Sequence, residues 1–204
     1  MEITLAVLSL LGTAVFAASG ALVAAEQRFD LIGAAFLSVA AGLGGGTLVD
    51  VLVGAQVRWL SAPEPLWVAL ASGVIVFEAV RFGAPPVQTL VWADAIGLAL
   101  FTATGVQRVT MMDFDPAVTV FLTTIGAAGG GIVRDVLANR EPLVFSGEIY
   151  VTASLIGALV YYVTVLAGAG VGLALAGALV VTFALRAAGI VFAIRLPPGG
   201  IGES

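Results

Sequence analysis

Two short stretches combine residue types that sit poorly in apolar sequence. GGGTLVD occupies residues 44–50 and GGGIVRD occupies residues 129–135, each inside a run dominated by Ala, Val, Leu and Ile. Each puts an aspartate four residues after a glycine triplet. A glycine inside a helix costs about 1 kcal/mol relative to alanine, so each triplet costs roughly 3 kcal/mol. Two readings account for that. Small residues let membrane helices pack closely. Alternatively, the triplets kink or break the helix and free backbone carbonyls and amides. Freed backbone at membrane depth is tolerated only inside protein or along a wet cavity. A contiguous triplet that occurs twice favours the second reading. On it, Gly44, Gly45, Gly46, Gly129, Gly130 and Gly131 form the constriction of a pore.

The carboxylates follow from the same reading. Asp50 and Asp135 then lie in the first turn of a restarted helix, where the positive end of the dipole stabilises an anion. Thr47 has capping-box spacing to Asp50, whereas Ile132 stands in that place in the second stretch. Each aspartate either finishes a broken helix or marks an ion path. Carbonyl oxygens and carboxylates both favour cations. Arg134 cannot deprotonate and will not face lipid. It requires a partner among Asp50, Asp94 and Asp135, and acts either as a structural clamp or as an electrostatic gate. Arg186, in TFALRAAG, and Glu78 and Asp94 are further charges near membrane depth. The last two can also sit at the headgroup level.

These residues need membrane helices to hold them. The chain has 204 residues, 60% hydrophobic and 10% charged, with mean hydropathy +1.13. Soluble domains carry about a quarter charged residues. Apolar segments recur at roughly 3–25, 31–59, 66–83, 88–110, 116–139, 148–167 and 171–194, near the length that spans about 30 Å of hydrocarbon. The N-terminus lacks a basic n-region and reads as a retained first helix rather than a signal peptide. With no cysteine or histidine, thiolate catalysis, histidine base chemistry and Cys/His metal sites are excluded. No nucleophile–base pair is visible, so an enzyme is not expected. Neither is a bound metal or a nucleic-acid partner.

The chain is also duplicated. At an offset of 85, Phe16 meets Phe101, Gly20 meets Gly105, Phe29-Asp30 meets Phe114-Asp115, and Phe36-Leu37 meets Phe121-Leu122. The glycine triplets and both Asp-Val-Leu sequences align at the same offset. Ser38 meets Thr123, either as two hydroxyls near one path or as two side chains bonded to their own helix backbone. Val49 meets Arg134, the one informative break in the match. A repeat of three helices is odd, so the second copy enters the membrane from the opposite side, an inverted-repeat plan. The expected fold is an all-α membrane protein of seven transmembrane helices. Residues 1–86 and 87–167 form the two inverted three-helix repeats, and 168–204 hold the seventh helix and a short tail. The inverted copies put Asp50 and Asp135 on opposite sides of the midplane, with a water-filled funnel from each face pinched at the glycines. Arg28, Arg81, Arg140 and Arg195 fall on the side of the C-terminus, and Arg58 and Arg108 on the other. The positive-inside rule places the C-terminus in the cytoplasm and the N-terminus outside.

Seven helices, two inverted units and GGG at the middle of helices two and five resemble the TRIC family, the trimeric intracellular cation channels. The bacterial pattern of GGG followed by x-x-R-D is matched fully at 129–135, and at 44–50 except for Val49. The resemblance implies a homotrimer with an hourglass pore in each subunit, formed by kinked helices two and five, for monovalent cations, chiefly K+. The ligands it implies are permeant K+ or Na+, with membrane lipid as a further partner. A chain of this length implies a prokaryotic plasma membrane. The alternative is a secondary transporter working by alternating access, since broken helices in inverted repeats also describe carriers.

Overall fold

Among the described residues, alternating apolar runs and polar connections fold into seven α-helices. A computed structural model describes residues 2–83, 85, 88–145 and 149–195. The expected junction between the repeats at 86/87, the start of segment six at residue 148 and the tail beyond 195 lie outside the described residues. The helices are α1 (Glu2–Glu26), α2 (Leu31–Leu52), α3 (Glu64–Val80), α4 (Thr89–Thr110), α5 (Pro116–Leu137), α6 (Val151–Leu166) and α7 (Val171–Phe192). Among the described residues, α1, α2, α4, α5 and α7 are long and apolar enough to cross a membrane. The third helix of each unit is shorter: α3 has 17 residues and α6 has 16, or roughly 25 Å at 1.5 Å per residue. This is a multi-pass helical membrane protein.

The local signals repeat as the sequence does. Asp30 caps α2 by accepting the Gly33 N–H at 2.7 Å, and Asp115 caps α5 by accepting the Ala117 N–H at 2.8 Å. Each satisfies an amide that the first turn leaves without a helical partner. Beyond α2, Gly54 takes φ +66°, and beyond α5, Asn139 takes φ +52°. These left-handed residues stop the helices, so α2 ends at Leu52 rather than running on to residue 59. A short 3-10 turn follows each helix, Arg58–Leu60 after α2 and Leu143–Phe145 after α5.

The expected helix break at the glycines does not occur. Both α2 and α5 continue as α-helix through their triplets. The triplets serve the contact between the two helices instead. A Cβ on Gly45 would overlap the Gly126 carbonyl oxygen, and one on Gly130 would overlap the Ala41 carbonyl oxygen. A Cβ on Gly129 would lie 3.0 Å from the Gly45 Cα. Two helix backbones touch here with no side chain between them, the close approach that small residues permit.

These contacts are reciprocal. Gly45 is to Gly126 as Gly130 is to Ala41, each residue replaced by the one 85 positions away. A Cβ on Gly12 would lie 3.2 Å from the Phe101 ring, and one on Gly97 would lie 2.8 Å from the Phe16 ring. Those rings stack on each other with centroids 5.4 Å apart and an interplanar angle of 11°. Exchange of this kind is the mark of an isologous interface. Helix α1 packs on α2, α3 and α4, while α4 packs on α5, α6 and α7. Helix α7 lies outside the duplication and packs on α4 and α6.

The crossing makes a graded prediction. Gly45→Ala and Gly130→Ala each drive a methyl into backbone that cannot rotate away. Overpacking costs about 1–3 kcal/mol even where side chains can adjust, and these variants should sit at or above that range. Gly46→Ala meets only the Arg58 guanidinium at 4.0 Å and should behave like the parent. Thermal unfolding followed by size-exclusion chromatography checks this. Equal stability of Gly45→Ala and Gly46→Ala would remove the crossing as a constraint.

Candidate functional site

The two aspartates occupy equivalent places at opposite ends of the crossing helices. Both lie in the last turn of their helix, not in the first turn of a restarted one. The helix dipole there disfavours an anion, so other groups must hold the charge. Asp50 Oδ2 accepts the backbone N–H of Arg58 at 3.2 Å, and Asp135 Oδ2 accepts that of Leu143 at 3.4 Å. Arg58 and Leu143 are themselves 85 positions apart. Each aspartate therefore ties the following 3-10 turn back onto its own helix end. Thr47 is not an N-cap. Its hydroxyl donates to the Leu43 carbonyl at 2.9 Å and accepts the Trp59 indole N–H at 3.0 Å.

The counter-charges differ between the ends. Asp50 pairs with Arg108 from the last turn of α4. That partner compensates for the missing arginine at Val49. At the other end, Arg134 is fully buried and makes four bonds. Its Nε and Nη2 donate to the two oxygens of Asp135 at 2.8 and 3.0 Å. Its Nη1 donates to Ser19 Oγ at 2.8 Å and to Asp94 Oδ1 at 3.0 Å. Of the three partners open to Arg134, the structure selects Asp94 and Asp135 and leaves Asp50 to Arg108. Asp94 is fully buried inside the protein.

Space is distributed just as unequally. A cavity of about 540 Å³ lies at the Asp50 end, lined by α1, α2, α4 and α5 and by Trp59 from the 3-10 turn. It passes Asp50, Arg108 and Thr47 and reaches Thr123 and Gly126, midway along α5. At the opposite end, three positions equivalent to its wall carry larger or charged side chains. Val49 is replaced by Arg134, Ser9 by Asp94 and Pro65 by Tyr150. A Cβ on Gly131 would meet Asp94 Oδ1 and the Tyr150 hydroxyl, each at 3.1 Å. Among the described residues, the cavity thus lies at one end, while a buried ion-paired cluster, the plug, fills the equivalent place at the other.

The expected site residues separate accordingly. Gly46, Thr47, Asp50 and Thr123 line the cavity. Gly45, Gly129 and Gly130 form the crossing at its floor, and a Cβ on Gly44 would lie 3.4 Å from the Val133 side chain. Gly131, Arg134, Asp135 and Asp94 belong to the plug. Arg186 stands beside it, with its guanidinium 4.9 Å from the Tyr150 ring centroid. Ser38 does not line this cavity. It donates to the Ala34 carbonyl at 2.7 Å and is wedged between Gly20 and Gly73. Arg108, Trp59, Tyr150 and Ser19 were not legible as site residues. The empty place beside Asp50 was the one available signal for Arg108, because a carboxylate at that depth needs a cation.

The cluster predicts how stability responds to charge removal. Arg134→Met leaves Asp94 and Asp135 buried without their cation, and breaking a buried pair costs about 3–5 kcal/mol. The double variant Arg134→Met/Asp94→Leu removes one stranded carboxylate and should recover part of that loss. Thermal midpoints of purified parent, single and double variants test this. A double variant no more stable than the single one would show that Asp94 is not the stranded partner.

Comparisons with known proteins place this geometry. The family model described as Glycine transporter matches residues 6–81 and again residues 91–166. Both ends of the second match lie 85 residues beyond those of the first, which is the offset of the duplication. The chain is 36% identical to the UPF0126 inner membrane protein YadS of Escherichia coli (strain K12), over 97% of each. A crystal structure of the TRIC trimeric intracellular cation channel orthologue from Rhodobacter sphaeroides superposes with a TM-score of 0.89. It is 33% identical and covers 94% of this chain and 99% of that one. A prokaryotic TRIC channel solved in 0.5 M KCl gives a TM-score of 0.88 at 28% identity, over 96% of this chain and 100% of the other. With the glycine crossing, the duplicated units and these likenesses in agreement, the chain belongs to the TRIC family, among its prokaryotic members.

Proposed function

We propose that the protein is a channel for monovalent cations, chiefly K+ with Na+ as the competing permeant ion. Each subunit of a homotrimer carries its own path. The observation that carries this reading is the one-sided cavity, which descends to the crossing of α2 and α5 and stops short of the Arg134 cluster. That is an hourglass with one half closed. The constriction is Gly45 against Gly126 and Gly130, and bending of α2 and α5 at their triplets is the opening movement. Glycine lowers the cost of that bend, since it holds the helix least firmly. Release of Arg134 from Asp94 completes the path. Asp50 and Asp135 are each neutralised by an arginine, so cation preference rests more on carbonyl and hydroxyl oxygens, including those of Thr47 and Thr123.

The reciprocal contacts and the odd number of helices per unit support inverted copies, with the N-terminus outside and the C-terminus in the cytoplasm. The homotrimer follows the names of the solved relatives, and annular lipid completes its surroundings. A second reading is alternating-access carriage of a small solute. It is favoured by the description of the matching family as Glycine transporter and by a cavity open at one end only.

Purified protein in planar bilayers under a KCl gradient separates the two. The channel gives stepwise unitary currents with a reversal potential near that of K+. Saturable glycine uptake or counterflow without unitary currents would replace it with the carrier. Light scattering of the detergent complex should give the mass of three subunits. A monomer or dimer mass would overturn the homotrimer.

A further inference from the structure

The plug leans on a helix that has no counterpart in the first unit. Arg186 is fully buried on α7, and α7 lies outside the duplicated segments. Its Nη1 donates to the Ile149 carbonyl at 3.2 Å. Its guanidinium also covers the Tyr150 ring at 4.9 Å. The two contacts grip adjacent residues at the entry to α6, since Tyr150 is the residue before its first turn. Gly189, one turn further along α7, brings the same backbone close, because a Cβ there would lie 3.5 Å from Ile149 Cβ. The other end of Tyr150 reaches the plug, where its hydroxyl and Asp94 Oδ1 crowd the same face of Gly131. Tyr150 is 2% exposed, so the ring cannot swing into water without lifting the entry to α6. The equivalent of Tyr150 in the first unit is Pro65, which borders the open cavity. Among the described residues, the stack of arginine on tyrosine is thus found at the plugged end.

We propose that Arg186 is a positioning residue for the plug. By gripping the Ile149 carbonyl and the Tyr150 ring, it holds the tyrosine hydroxyl against Gly131 beside the Arg134–Asp94 pair, and so α7 sets how often the path opens. Arg186 does not touch the permeating ion. Its removal changes the closed-to-open equilibrium and leaves the open path as it was. A cation over an aromatic face in a desolvated site is stabilising, and the carbonyl bond adds to it. Losing both should raise the ratio of open to closed time on the order of tenfold, since about 1.4 kcal/mol corresponds to a factor of ten.

This inference rests on the channel reading, and single-channel recording keeps the two apart. Arg186→Met and Tyr150→Phe should each raise open probability, with unit conductance and reversal potential unchanged. Arg186→Lys, which keeps a cation and a donor, should restore most of the parent behaviour. Arg186→Met/Tyr150→Phe should open no more often than the more open single variant, because both act through one contact. Tyr150→Phe retains the ring and the buried arginine's partner, so it decides the matter if Arg186→Met fails to assemble. Parent-like open probability in Tyr150→Phe, or Arg186→Lys behaving as Arg186→Met, would overturn the role of Arg186 while the channel stands. Absence of unitary currents in the parent would overturn the channel reading itself.

Discussion

The contact between α2 and α5 governs the rest of the molecule. Two helix backbones touch through Gly45, Gly126 and Gly130, and in lipid such contact depends on packing rather than on release of water. No side chain longer than glycine's fits at Gly45 or Gly130. The crossing therefore fixes where the two units meet. It also fixes where a cavity entering from one end must stop, and it sets the two aspartates at opposite ends of the same pair of helices. The stacked rings of Phe16 and Phe101 extend the contact between α1 and α4, so the two units are joined along all of their central helices.

Charge placement is the second layer. An aspartate in the last turn of a helix opposes the dipole, and in low dielectric that opposition is strong. Both ends solve the problem with a backbone amide and a guanidinium, but the guanidinium comes from different places. Arg108 reaches Asp50 from another helix and is partly accessible, whereas Arg134 reaches Asp135 from the adjacent position and is sealed in. The sealed version adds Asp94, Ser19 and Tyr150. Filling the volume that Val49, Ser9 and Pro65 leave open is what turns a matched fold into an unmatched interior.

Sequence revealed the frame more readily than the contacts. The duplication was legible because Phe, Asp and Gly recur at a fixed offset in a chain otherwise rich in Ala and Val. The helix ends were legible where a local signal marked them, as at Asp30 and Asp115, and missed where Gly54 terminated α2 early. The glycine triplets were read through helix propensity, a local quantity, and so as a break. Their partners, the carbonyls of Ala41 and Gly126, lie on other turns and another helix, and no local quantity reports them. Thr47 was misassigned as a cap for the same reason, since the cap needed a break that is absent. Arg134 was legible as needing a carboxylate, but the choice of Asp94 and Asp135 over Asp50 required the fold.

The covalent joining of the two copies has a consequence for what their interior can become. Two identical chains related by a two-fold axis must carry the same residue at both ends of their shared path. Such a dimer could have two cavities or two plugs, but never one of each. Once both copies lie on one polypeptide, position 49 and position 134 vary independently, as do 9 and 94, and 65 and 150. The contacts of the glycine crossing remain reciprocal. The side chains are then free to make one end of the paired helices differ from the other, and the interior between them thereby acquires a direction.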